Sequence, residues 1–123
     1  MNPSILIIFA LAVAAFATAD YRPEPYRINF GAQNYTRLID EFTVVSPAKP
    51  IQPIRFTLDY PGGNAYKNTY IRRIEYIDYN NKDARTEFRI VKGGCEHNFA
   101  VIQIISQIGK GINSKILFYG PTP

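Results

Sequence analysis

The 123 residues contain one cysteine, one histidine, one methionine and no tryptophan. A single thiol excludes any disulfide within the chain, so the fold must stand on packing, or on packing plus self-association. Structural zinc takes four Cys or His ligands, and this chain offers only Cys95 and His97. Carboxylates could complete a site, but Asp78 and Asp83 flank Asn80-Asn81 and read as turn formers. HExxH, GxSxG and a phosphate-binding glycine loop are all missing. So are a basic run of the nuclear-import kind and an RNA-binding aromatic motif. The formal charge of +4 is dispersed, with Arg72-Arg73 its densest pair. Charge of that kind speaks to solubility and to weak attraction for anionic surfaces. No cofactor, no metal and no direct nucleic-acid contact are expected.

The two rare residues share one stretch, "GGCEHNFAVIQII" (residues 93–105). A cysteine nucleophile needs a base within hydrogen-bond reach, and His97 is the sole imidazole. On a strand, residues two apart project in parallel about 7 Å from each other along the chain. That is poor geometry for a thiol–imidazole contact, and no third, orienting residue is recognisable. The chain is therefore not expected to be an enzyme. Gly93-Gly94 supply backbone freedom for a turn or bulge, and Cys95 is expected to begin a strand. Two fates stay open for Cys95: burial as a small hydrophobe, or an intermolecular disulfide if the thiol is exposed in an oxidising compartment.

What the chain does have begins at its N-terminus. "ILIIFALAVAA" (Ile5–Ala15) is uncharged and apolar, and Ala17 and Ala19 follow at the spacing signal peptidase requires. The run is short of the roughly 20 apolar residues of a membrane helix. The expectation is a cleaved signal peptide over residues 1–19, a secreted, extracellular product beginning at Asp20, and no membrane anchor. Residues 20–36 hold Pro23 and Pro25 and read as an extended N-terminal arm, and residues 37–123 as one all-β domain. Asn34-Tyr35-Thr36 is a glycosylation sequon, so Asn34 is a candidate glycan site.

After the arm come six short runs rich in β-branched and aromatic residues: "RLIDEFTVV", "IRFTLDY", "TYIRRIEYID", "RTEFRIVK", "NFAVIQIIS" and "SKILFYG". In "IRFTLDY", Ile54, Phe56, Leu58 and Tyr60 alternate with Arg55, Thr57 and Asp59. No segment sustains a helical apolar period. Six or seven short antiparallel strands in a single domain predict a β-sandwich. Pro47, Pro50 and Pro53 suit a crossover between sheets, because proline withholds a ladder N–H. "YNNKD" suggests a hairpin turn. Placing Ile74, Tyr76, Phe88 and Ile90 on one face makes the register sum even, and avoiding Glu75 opposite Glu87 and Arg73 opposite Arg89 then predicts Glu75 opposite Arg89 and Tyr76 opposite Phe88.

The last two strands break the alternation. "FAVIQII" and "KILFYG" are apolar on both faces, and soluble monomers rarely leave a large apolar patch bare. If these strands form a hairpin with one face in the core, Ile102, Ile104, Leu117 and Tyr119 are candidates for a partner surface. The cover is then a protein partner, a second copy in a homodimer, or the arm folding back through Tyr21, Tyr26 and Phe30.

The stretch "IVKGGCEHNFAVIQIISQIGKGINSKILFYG" resembles the signature of the second multiprotein bridging factor family. That family of small secreted insect proteins includes the pathogen-response (REPAT) proteins and salivary secreted peptides. The resemblance is carried by Gly93-Gly94, the apolar run to Ser106, Gly109-Lys110-Gly111-Ile112-Asn113, and Tyr119-Gly120. Cys95 departs from the small or apolar residue expected after the glycine pair. The resemblance implies a secreted all-β domain tied to immune, gut or stress responses, with no catalytic residues. It also implies an alternative role, as a transcriptional coactivator bridging a DNA-bound regulator to the basal machinery.

Overall fold

The computed structural model describes residues 25–62 and 68–122. The expected signal peptide and Tyr21 lie outside the described residues. Among the described residues, seven strands form two antiparallel sheets: β1 (Tyr26–Gly31), β2 (Thr36–Ser46), β3 (Arg55–Tyr60), β4 (Arg73–Asp78), β5 (Glu87–Gly93), β6 (Ala100–Ile105) and β7 (Ile112–Pro121). The four-stranded sheet has the order β1-β4-β7-β2, and the three-stranded sheet β3-β6-β5. The all-β, two-layer expectation holds, and each of the six runs contributes one strand.

The core lies between the layers. Ile74, Tyr76, Ile116 and Phe118 point inward from one sheet, and Ile102 and Ile104 from the other, all fully buried. Each such side chain contributes about 1.5–3 kcal/mol relative to exposure. Aromatic rings cross the gap: Tyr60 of β3 stacks on Phe118 of β7 at 3.9 Å, and Phe30 of β1 meets Phe88 of β5 at 5.8 Å. The proline segment between β2 and β3 carries the chain from one sheet to the other, as its composition suggested.

Four expectations are corrected. First, β4 and β5 do not pair; they lie in opposite sheets. Glu75 stands opposite Asn29 and Leu117, and Arg89 opposite Gln103. The physical reason is the connection between them. The buried Asp78 carboxylate accepts the Asn80 N–H at 2.9 Å, and the Thr86 N–H and hydroxyl at 2.8 Å each. Asn80 in turn donates to the carbonyls of Ala84 and Gly111. This network bends the chain over the end of the sandwich instead of back along β4. Two facing sheets satisfy the same even-numbered apolar pattern that a hairpin would.

Second, β6 and β7 are not a hairpin. Each is an inner strand of a different sheet, with one face in the core and the other partly exposed. Third, the described part of the arm, from Pro25 on, does not fold over an outer face. Its Tyr26–Gly31 portion is β1, an edge strand on β4, with Ile28 and Phe30 packed against the core. The alternation of Ile28 and Phe30 with Arg27 and Asn29 was the signal for it. Fourth, Cys95 does not begin a strand. It lies in the β5–β6 loop, and β6 starts at Ala100. Gly93 closes β5 at φ 67°, where a β-carbon would sit 2.3 Å from the Phe99 carbonyl oxygen.

Candidate functional site

β4 and β7 are the inner strands of the four-stranded sheet, so their outward side chains form the middle of its outer face. Register sets Arg73 opposite Tyr119, Glu75 opposite Leu117 and Ile77 opposite Lys115. The Arg73 guanidinium lies 3.8 Å from the centroid of the Tyr119 ring, a cation–π contact of about 0.5–1 kcal/mol at exposed sites. Its Nη1 also donates to Asn29 Oδ1 at 2.9 Å. The Glu75 side chain is only 12% exposed, and its Oε2 accepts Arg27 Nη1 at 3.1 Å. The Tyr119 hydroxyl makes a longer contact, 3.5 Å, with Glu75 Oε1. Lys115 pairs with Glu41 at 3.0 Å, and that partner raises its pKa.

The result is a platform in which Leu117 and Tyr119 are half-buried beneath a fringe of Arg27, Arg73 and Lys115. Two of these cations face carboxylates. Arg73 is held instead by an aromatic ring and an amide, which fixes its position without an ion pair among the described residues. Preorganised Tyr and Arg are the side chains most often found carrying the affinity of protein interfaces. Beyond Tyr119, at the same end of β7, lies an open cleft of about 530 Å³, lined among others by Arg37, Tyr70, Arg72, Glu96 and Pro121. Arg72 Nε is 3.2 Å from Glu96 Oε2 there.

The other sequence candidates fall elsewhere. Ile102 and Ile104 are fully buried in the core. Their assignment to a partner surface is corrected, because β6 turns Val101, Gln103 and Ile105 outward instead. Leu117 and Tyr119 are on an outer face, but of the sheet opposite β6. Asn34 is exposed in the β1–β2 connection, beside the exposed Tyr35.

Cys95 is half-buried, and its thiol donates to the Phe30 carbonyl at 3.4 Å. Burial pushes the thiol pKa up, with the Ile74 backbone opposing and the Glu96 charge adding to the rise. His97 is exposed, with its ring against Phe99 at 5.6 Å. The structure therefore turns Cys95 inward, towards β1, and His97 outward. Among the described residues, no three His, Cys, Asp or Glu side chains are grouped to hold a metal ion, and no helix is long and apolar enough to cross a membrane.

Sequence reading missed Arg27, Asn29 and Arg73 as parts of the face, because it placed β4 beside β5. The glycines of the C-terminal signature act through structure. At Gly111 a β-carbon would come within 2.5 Å of the Ser46 carbonyl oxygen, so the residue lets two loops close on each other.

Fold and platform together describe a small two-layer β domain whose larger sheet carries half-buried Leu117 and Tyr119 among charged side chains on its outer face. Residues 30–120 match the model of the family described as Transcription activator MBF2, and the chain belongs to that family. No curated protein and no solved structure gave a significant match.

Proposed function

We propose that this domain works as a non-enzymatic adaptor, recognising a protein partner through the Arg73–Tyr119 platform of the four-stranded sheet. The observation that carries the reading is that platform: an aromatic and a guanidinium stacked at 3.8 Å on an outer sheet face. Membership of a family described as a transcription activator supports a coactivator role, in which the partner belongs to the transcription machinery. Tethering the chain to a heterologous DNA-binding domain in the nucleus tests this. Reporter transcription is expected to rise, and to fall back with Tyr119→Ala. No rise above the DNA-binding domain alone overturns the coactivator role.

A second reading has its own support. The apolar run Ile5–Ala15, followed by Ala17 and Ala19, favours export and a place of action outside the cell. There the same platform would serve a secreted interaction protein of the immune, gut or stress-response kind. A tagged full-length chain found in the medium, beginning at Asp20 and shifted in gel mobility by glycosidase through Asn34, supports it. Retention in the nucleus with Met1 intact counts against it.

A further inference from the structure

The end of the sandwich opposite the cleft is built differently. Lys49–Gln52 form a tight turn, with Gln52 N–H donating to the Lys49 carbonyl at 3.4 Å. Pro50 takes its second position, and Ile51 its third at φ 62°. A turn with proline second and positive φ third calls for glycine or asparagine at that third place. A β-branched residue there is a true backbone outlier. Ile51 is moreover 86% exposed, so the fold gains almost nothing from its side chain. Strain of this kind persists where surrounding structure enforces it, and is a pointer to function.

A second loop supports the first. Gly109 N–H donates to the Gln52 carbonyl at 3.1 Å, and Gly111 packs against the Ser46–Ala48 backbone. This holds Ile108, itself 67% exposed, in the loop beside that of Ile51. The two isoleucines thus stand exposed on adjacent loops joined by a backbone hydrogen bond, and together make an apolar tip. Lys49 precedes Ile51 by two residues and Lys110 follows Ile108 by two. The neighbouring β4–β5 connection, tied in by Gln107 Nε2 to the Arg85 carbonyl at 3.1 Å, adds exposed Lys82 against exposed Asp83, while the Arg85 guanidinium turns onto the Tyr26 ring of β1. The adjoining strand ends add one charge of each sign, Arg55 and Glu87. The rim around the tip is therefore basic.

We propose that this tip is a second docking surface, one that inserts Ile51 and Ile108 into an apolar pocket of a protein partner rimmed by carboxylates. The proposal rests on the protein-binding reading above and extends it. β7 runs from this end towards the cleft, and the run from Ile112 to Tyr119, at about 3.3 Å per residue, sets the Arg73–Tyr119 pair about 23 Å from the tip. Two anchors are few for a lipid surface, where even one whole acyl chain holds only marginally. They are enough for a protein pocket, where a few side chains carry most of the affinity.

The test uses the isotope-labelled full chain and a synthetic peptide alternating Glu with Leu and Phe, with a Lys-for-Glu peptide as control. Vesicles of phosphatidylcholine, with and without phosphatidylserine, form the lipid arm. The acidic peptide is expected to shift the amide signals of Lys49–Gln52 and Ile108–Lys110, and the basic one to leave them in place. Ile51→Gly should weaken binding about tenfold or more while melting no lower than the parent, since glycine relieves the strained φ. Ile108→Ser supplies the same readout from the second loop. Binding to phosphatidylserine vesicles without peptide binding overturns the proposal in favour of a membrane surface. Peptide shifts confined to Leu117 and Tyr119 overturn the tip but leave the platform reading standing. Tip shifts that survive Tyr119→Ala support the tip whatever becomes of the platform. An absence of shifts with either peptide overturns the tip.

Discussion

The ring of Tyr76 on β4 lies over the ring of Phe88 on β5, centroids 4.4 Å apart and planes 21° from parallel. The two strands belong to different sheets, so this stack ties one layer to the other. The Tyr76 hydroxyl is also hydrogen-bonded to the Thr86 hydroxyl, which joins the apolar core to the Asp78 network. Truncating the half-buried Phe88 to Ala should cost towards the lower end of about 3–5 kcal/mol, read from the urea midpoint.

Tyr76 also predicts a pH effect. Burial raises its phenol pKa, with the Ser114 and Thr86 hydroxyls opposing and the Asp78 charge adding to the rise. The folded state thus holds the proton more tightly than the unfolded chain does. Its contribution to stability is complete at neutral pH and is lost as pH climbs past the unfolded phenol value of about 10. Tyr76→Phe should therefore flatten the alkaline fall in melting temperature. An alkaline limb identical to the parent's would show that Tyr76 does not carry it.

Asp78 meets three donors and offers two oxygens to them. In Asp78→Asn, one of those oxygens becomes an NH₂ that faces a donor. Hydrogen bonds to charged groups are worth about 1.5–3 kcal/mol each. The substitution should accordingly lower the melting temperature by several degrees despite its near-identical shape. The Asn80–Thr86 amides should also lose hydrogen-exchange protection before the β7 amides do. Equal loss in both places would mean the network is not a local latch.

Much of the fold was legible along each strand and little of it between strands. Alternation in "IRFTLDY" predicted which residues of β3 face the core, because side-chain direction is a local property of the backbone. Partner choice is not local. Tyr76 and Phe88 were recognised as sharing a face, and they do meet, but across the sandwich and not along a ladder. What decided between the two was the Asp78 carboxylate, whose residue type also suits an ordinary turn. The platform was hidden for the same reason: Arg73, Glu75 and Tyr119 assemble only once β4 lies beside β7. The tip was half visible, since the proline spacing marked a crossover, but the positive φ of Ile51 has no signature in residue type.

Cys95 gives a chemical readout of how its loop is anchored. Burial raises its pKa, and its sulfur packs close to Gly31, where an added β-carbon would approach to 2.7 Å. At neutral pH the native thiol should react with iodoacetamide several-fold more slowly than in urea, because both thiolate fraction and access are reduced. Gly31→Ala, whose β-carbon would also meet the Arg72 carbonyl oxygen at 2.3 Å at a φ of 95°, should loosen the end of β1 together with the thiol and speed its reaction. A native rate equal to the denatured rate would show a loop that does not hold Cys95 inward.

The two central strands provide a matched comparison, because "FAVIQII" and "KILFYG" look alike in sequence and differ in what each side chain faces. Ile102 points into the sandwich and is fully buried. Lysine there would leave an uncompensated charge in the core, at a cost on the order of 3–5 kcal/mol, in addition to the lost apolar burial. For one domain of this size, that is a large fraction of total stability. Ile102→Lys should therefore unfold or barely fold. Leu117 lies on the outer face, opposite Glu41 and Glu75 in the ladder. A lysine at 117 can keep its stem on the sheet and its ammonium in water beside those carboxylates, so Leu117→Lys should change stability by no more than about 1 kcal/mol. Circular dichroism melts of the two variants, run together, check the assignment of faces. If Leu117→Lys unfolded the chain as Ile102→Lys does, the outer face would have to be covered in the folded protein, and the platform would not be free to bind a partner.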